Sequence, residues 1–353
     1  MKKSIRKLIL SAAIIIAVVL CTLFAKNNPE FISKYYAPVS KWLSGVMSAF
    51  WSVIPLSAAE LMIAAAVVFS ITLIVFLIKR KISFLSFLST VILTISIVVG
   101  FSQLAWGLNC YAEPLADSLG IPVSRYTEEE LMDAAEYYIQ KANEYALISE
   151  RDEDGNIYSG SFSEINQKTI TAYENLSKEY PFFKGQYYPA KGFLTSGIFI
   201  RFDITGMYTP YSGEANVVLK TAPLSMPFTV AHEFAHRLAI APEDEANFAA
   251  FLACTYSKDI NFLYSGYYMA FVYCYNALPS GLRAELWNEL DPILIEDIEA
   301  VSEYYKQYES KASEIGNKVN DTYLKAMNQQ SGIKSYGEVV DLLIAYYQQN
   351  AGE

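Results

Sequence analysis

The chain has two histidines, and both fall in one pentapeptide, His232-Glu233-Phe234-Ala235-His236. On a helix, residues four apart lie one above the other on a single face, so both imidazoles can grip one ion from the same side. Glu233, next in sequence, is placed to reach a metal-bound water rather than the metal itself. These are the groups that zinc-assisted hydrolysis requires. Zinc lowers the pKa of its bound water to about 7 and polarises a scissile carbonyl. A carboxylate then takes the water's proton and delivers it to the leaving amine. The competing explanation is a pair of core histidines with a chance glutamate between them. The chain's avoidance of histidine everywhere else argues against that coincidence. Val230, Ala231, Phe234, Ala235, Leu238 and Ile240 also supply the apolar flanks of a buried helix.

A catalytic zinc needs a third protein ligand and one open position. With no other histidine and no cysteine nearby, the ligand is expected to be a carboxylate from Pro242-Glu243-Asp244-Glu245-Ala246-Asn247. Proline at the first helical position and acids in the first turn are ordinary helix-start features, so three acids here are not three functional residues. Two candidates remain. Glu243 shares a helix face with Asn247, Ala250 and Cys254, a small-residue face that allows close packing on the motif helix. Glu245 shares its face with Ala249, Leu252 and Tyr256, which is bulkier. Face geometry favours Glu243 as ligand, with Asn247 one turn later steadying a metal-binding histidine. Six residues separate His236 from Glu243, so the motif helix must end and turn near Ala239–Ala241. Upstream, Glu214–Leu219 is expected to offer a strand edge to an extended substrate backbone. Tyr264 and Tyr267 could donate to an oxyanion, but among 27 tyrosines core packing is the default.

The elements that must position these groups divide into two parts. The chain has 353 residues, 53% of them hydrophobic, more than an ordinary soluble enzyme. Leu8–Ala25 and Leu61–Ile78 each run 18 residues without a charge, and Phe84–Trp106 runs 23. At about 1.5 Å per residue each can cross roughly 30 Å of hydrocarbon. Trp106 stands where an interfacial anchor would. Lys2, Lys3, Arg6 and Lys7 precede the first span, and Lys79, Arg80 and Lys81 separate the second from the third. Putting both clusters in the cytoplasm leaves everything after Trp106 outside. The first span also resembles a secretory signal, but the residues near Ala25 make a poor cleavage site, so it is expected to stay as an anchor. Trp42–Pro55 reads as a short interfacial helix. Residues 1–106 are thus a membrane anchor with the lipid bilayer as partner, and 107–353 a mainly helical, extracytoplasmic domain.

Of the 27 basic and 37 acidic residues, ten and two fall in 1–111, which leaves 17 and 35 for 112–353. A domain that acidic repels phosphate backbones, which argues against nucleic acid as a partner. Cys21, Cys110, Cys254 and Cys274 are too scattered for a zinc knuckle; Cys254 and Cys274 could pair if their helices adjoin. Thr127 with Glu130, and Ser161 with Glu164, form capping boxes that open helices to Ala146 and Tyr180. Gly197–Thr205 alternates as a strand would, and Glu214–Lys220 is a second strand candidate. Helices are expected at about 225–240, 243–257, 260–278, 281–290, 293–328 with a break, and 335–349. Asn261–Leu278 is uncharged enough for a fourth span, but its many tyrosines need partners that lipid does not offer, so it is expected in the core.

WGLNCY at 106–111, GMYTPYSGEANV at 206–217, HEFAHRLAIAPEDEANF at 232–248, YSGYYMAF at 264–271 and SYGEVVDLLIAYY at 335–347 resemble an uncharacterised bacterial membrane family, the domain of unknown function numbered 3810. Its members resemble gluzincin-type zinc peptidases, with HExxH on one helix and a glutamate ligand on the next. That resemblance implies a zincin-like fold with a small β-element, Zn2+ held by His232, His236 and Glu243, Glu233 as general base, and a peptide or protein substrate. Asn247 stands where membrane zinc peptidases carry an acid. The other readings are a metal-containing envelope sensor or peptide-binding module, and a small transporter supported by the three spans alone.

Overall fold

The computed structural model describes residues 2–153, 155–332 and 338–350. Three of its helices, α1 (Lys2–Lys26), α4 (Ala58–Ile78) and α5 (Phe84–Ala105), are long and apolar enough to cross a membrane. Helices α1 and α5 pack side by side through small residues, with Ser11, Ser96 and Gly100 buried. A Cβ at Gly100 would lie 2.8 Å from Ile14, so glycine sets how closely the two approach. Helix α4 is exposed along its apolar length.

Between α1 and α4, the short α2 (Pro29–Phe31) and one wide turn lead into α3 (Ala37–Ser52), which starts earlier than the sequence pattern suggests. This helix has two stripes. Ser40, Ser44, Gly45 and Ser48 are buried against the globular part, while Val39, Trp42, Val46 and Phe50 face outward, Trp42 and Phe50 being 60% and 69% exposed. Gly213, at φ 67°, completes the contact: a Cβ there would sit 3.0 Å from the Ser44 carbonyl carbon.

The globular part is mainly helical. After α6 (Leu115–Leu119) come α7 (Glu128–Ile148) and α8 (Phe162–Glu179), each opened by the expected capping box with both of its bonds present. Gly197–Thr205 is not a strand. It forms α9 (Ser196–Phe199) and a 3-10 turn that ends where Asp203 adopts φ 61°. The alternation misleads because Phe199 and Ile200 pack inward together, Phe199 stacking on Phe193 at 4.4 Å, while Ile198 is 57% exposed. Three short strands form the only sheet among the described residues, in the order β1 (Lys191–Gly192), β3 (Glu214–Val217), β2 (Gly206–Thr209). Strand β1 runs parallel to β3 and β2 antiparallel, so Glu214–Val217 is the centre, and its pairing edges are both taken. The substrate-holding edge expected at Glu214–Leu219 therefore does not exist.

Helix α10 (Met226–Arg237) packs on β2 and β3, and α11 (Glu243–Thr255) and α12 (Ile260–Ala277) pack on it in turn. Helix α12 is a core helix: Tyr264 is fully buried and gives its hydroxyl to Asp297, which also pairs with Arg151. The chain closes with α13 (Ser280–Leu286), α14 (Pro292–Lys306), α15 (Lys311–Ala326) and α16 (Val340–Asn350). Residues 335–337 of the last expected helix lie outside the described residues. Cys254 and Cys274 are both buried and unpaired.

A buried polar knot ties α4 to the sheet. Glu214 accepts from the Ala58 backbone N–H and from Ser212 Oγ, both at 2.9 Å, and forms an ion pair with Lys191. Ser57 Oγ donates to Asn216 Oδ1 at 2.6 Å, and Lys191 also donates to the Trp51 and Leu56 carbonyls. Glu60, in the first turn of α4, accepts from the Leu194 and Thr195 backbone N–H groups at 3.0 and 2.8 Å. Removing one partner of a buried, hydrogen-bonded ion pair costs about 3–5 kcal/mol because the other charge is stranded. Lys191→Met should therefore lower the unfolding temperature of the detergent-solubilised chain, and adding Glu214→Gln should recover part of the loss. A double variant that simply sums the two losses would show that the pair is not coupled.

Candidate metal centre

The motif helix α10 ends as its sequence requires. Leu238 caps it and Ala239, at φ 70°, turns the chain away, after which Pro242 leads into α11. Proline is the cap residue here and Glu243 the first helical one. The cap has no side-chain acceptor of its own; instead, Glu243 N–H donates to Gln329 Oε1 at 3.1 Å, bringing the end of α15 to the site.

These constraints bring together three atoms that could hold a metal ion. His232 Nε2 lies 3.1 Å from His236 Nε2 and 3.1 Å from Glu243 Oε2, and His236 Nε2 lies 3.6 Å from the same oxygen. Zinc–nitrogen and zinc–oxygen bonds of about 2.0–2.1 Å at tetrahedral angles separate ligand atoms by roughly 3.3 Å. The spacing fits. So does the chemistry of the donors. Ile240 O can only accept, so its 2.8 Å contact assigns an N–H to Nδ1 of His236 and makes Nε2 the nitrogen that faces the cluster. Glu243 Oε2 is buried without a hydrogen bond, as an atom reserved for a cation would be. Burial alone would raise the Glu243 carboxyl, but the two imidazoles overcome it and hold the group well below the usual carboxylate range. Burial pushes His232 down, while His236, beside Glu243 and Glu233, is carried up to about 9 against its own burial. Asn247 is buried one turn after Glu243 and acts on His232 as a side-chain partner, although Nδ1 makes no hydrogen bond of good geometry.

Glu245 is not part of this cluster. Its Oε1 accepts from the Leu115 backbone N–H at 2.8 Å, and burial lifts the carboxyl to about 8. Tyr264 and Tyr267 are core residues, the first bonded to Asp297 and the second stacked on Tyr145 at 5.5 Å.

Glu233 is buried, with Oε2 unpartnered, and burial raises its carboxyl to about 8. It lies under Gly206, the first residue of edge strand β2: a Cβ there would fall 2.7 Å from Glu233 Cδ. Trp106 is not an interfacial anchor. It is 6% exposed, its Nε1–H donates to His236 O at 3.0 Å, and its ring meets the His236 ring edge-on at 5.8 Å. Burial raises the hydroxyls of Tyr273 and Tyr323, and both also feel the charge of Glu243. None of Trp106, Gly206, Gln329, Tyr273 and Tyr323 is marked by spacing. Trp106 and Gly206 fall within two of the recognised runs, which was the only signal for either.

Gly206→Ala should be destabilising by about 1–3 kcal/mol through overpacking against Glu233. Thermal unfolding should show that loss relieved when Glu233→Ala is added. A double variant no more stable than Gly206→Ala would separate the two residues.

No curated protein matches the chain, and no solved structure does. A family model described as a protein of unknown function (DUF3810) matches residues 35–344, a span that takes in α3 to α15, the start of α16 and every residue of the cluster. The chain belongs to that family.

Proposed function

We propose that the chain is a membrane-anchored zinc peptidase acting on peptide or protein substrates. The observation that carries this reading is the meeting of His232 Nε2, His236 Nε2 and Glu243 Oε2 at 3.1–3.6 Å in a buried site, with an unpartnered carboxylate, Glu233, one residue along the same helix. Bound there, zinc would supply a Lewis acid that polarises a carbonyl and acidifies water. Glu233 takes the proton from the attacking water and passes it to the leaving amine. Its apolar surroundings favour this role, since a carboxyl whose pKa lies near the working pH can both accept and release a proton. The outer edge of β2 fits an extended peptide, because the strand begins at Gly206 directly beside Glu233 and only its other edge is paired. The purified full-length chain should carry about one zinc per molecule, lost in His232→Ala. Glu233→Gln should keep the metal and lose peptide hydrolysis. Undiminished turnover in Glu233→Gln removes it as the base.

The same reading sets the three apolar helices across the bilayer with the catalytic part outside. It is supported by the basic residues at 2–7 and 79–81 and by the acidic excess after residue 111. A reporter fused after Glu353 should be active outside the cytoplasm; cytoplasmic activity reverses the orientation.

A further inference from the structure

Edge strand β2 starts at Gly206, beside Glu233, and ends at Thr209, about 10 Å away along an extended chain. The turn that follows reaches α5. The Tyr211 hydroxyl donates to Val98 O at 2.9 Å, and its ring stacks on Phe101 at 5.5 Å. The unpaired edge of β2 thus leads from the metal centre to the flank of an apolar helix.

The length of that helix sets the depth of the contact. Helix α5 has 22 residues, about 33 Å at 1.5 Å per residue, against roughly 30 Å of hydrocarbon. Lys79, Arg80 and Lys81 hold its far end at one surface, because their charges are costly in hydrocarbon. Ala105 then stands within about 3 Å of the opposite face, and Val98 lies about 10 Å further in. Trp106 follows at once and donates to His236 O, which holds the cluster beside the headgroup layer. Neighbouring elements agree with this level. Ser40 Oγ donates to Ala105 O at 2.8 Å, setting α3 there with Trp42 and Phe50 turned outward. Leu194, 74% exposed, is tied through its N–H to Glu60 in the first turn of α4. Bulky apolar side chains around emerging spans suit the boundary between headgroups and acyl chains.

We infer that the substrates are membrane-anchored polypeptides, cut within about five residues of the end of their own span. A peptide laid along β2 with its scissile bond at Glu233 runs toward α5, beside which a second span has the bilayer to stand in. The intervening 10–16 Å or so is three to five extended residues. Water adds across the amide there, leaving a carboxylate on one fragment and an amine on the other. Sharing a bilayer also raises the substrate's effective concentration. The inference rests on the peptidase and membrane readings above and holds for either orientation.

The test uses the full-length, zinc-loaded chain in vesicles. It receives a pool of random peptides of about ten residues joined to an apolar span, or the same pool without the span. The anchored pool should be cleaved at least about tenfold faster at equal total concentration, and not by Glu233→Gln. Mass spectrometry should place the cuts within about five residues of the span. A second readout needs no turnover. Trp42, Leu194 and Leu147 are all more than half exposed on the protein itself, and the helix carrying Leu147 packs on α12, α14 and α16. In nanodiscs, Trp42→Cys and Leu194→Cys should react with a charged maleimide about tenfold more slowly than Leu147→Cys. Equal labelling of the three, equal cleavage of the two pools, or cuts spread evenly along the peptide overturns the inference alone. Hydrolysis of neither pool overturns the peptidase reading, and the inference with it.

Discussion

Two imidazoles and a carboxylate lie within 4.8 Å of one another in a core that offers them little water, and most of the domain's architecture answers that condition. Three such groups, buried with lone pairs converging, are unstable company unless a cation or protons sit between them and each is held from behind. His236 is held twice: Ile240 O fixes its ring and Trp106 Nε1 engages its carbonyl. Glu243 is fixed by being the first residue of α11, whose free N–H is capped from a distant part of the chain by Gln329. Asn247 stands behind His232. A short connection between α10 and α11 serves the same end, because a longer one would let the two helices slide.

The apolar N-terminal helices are part of this support rather than a detachable tether. The third ends at Ala105, one residue before the indole that touches His236, and the second begins at Ala58, whose N–H enters the Glu214 knot in the sheet. The small-residue stripe of α3 presses on the turn between β2 and β3. Movement of these helices relative to the domain would thus be felt at both the strand beside Glu233 and the backbone of His236. The division at residue 106 marks a change of composition, but the packing crosses it.

The sequence was legible where the signal is periodic and local. The HExxH spacing, the two capping boxes and the three apolar runs each write one structural fact into a few neighbouring residues. Small residues on one helix face favoured Glu243 over Glu245, and it is Glu243 that lies beside the two imidazoles while Glu245 accepts from the Leu115 N–H. Reading failed where tertiary contact decides. The alternation in Gly197–Thr205 is a coincidence of inward-packed Phe199 and Ile200 around a short helical turn. The Glu214 strand was read without its neighbours, so its place at the centre of the sheet was invisible. Trp106 looked like an anchor because it ends an apolar run, and nothing local says that its indole turns back into the core.

The proposed centre depends on the identity and spacing of three donors around one ion. X-ray absorption at the zinc edge of the full-length protein reads them directly. It predicts a low-coordinate site with two imidazole nitrogens and light oxygen scatterers at about 2.0–2.2 Å and no sulfur. The imidazole signal should halve in His236→Ala. A sulfur shell at about 2.3 Å, or an octahedral all-oxygen site without imidazole, would contradict it.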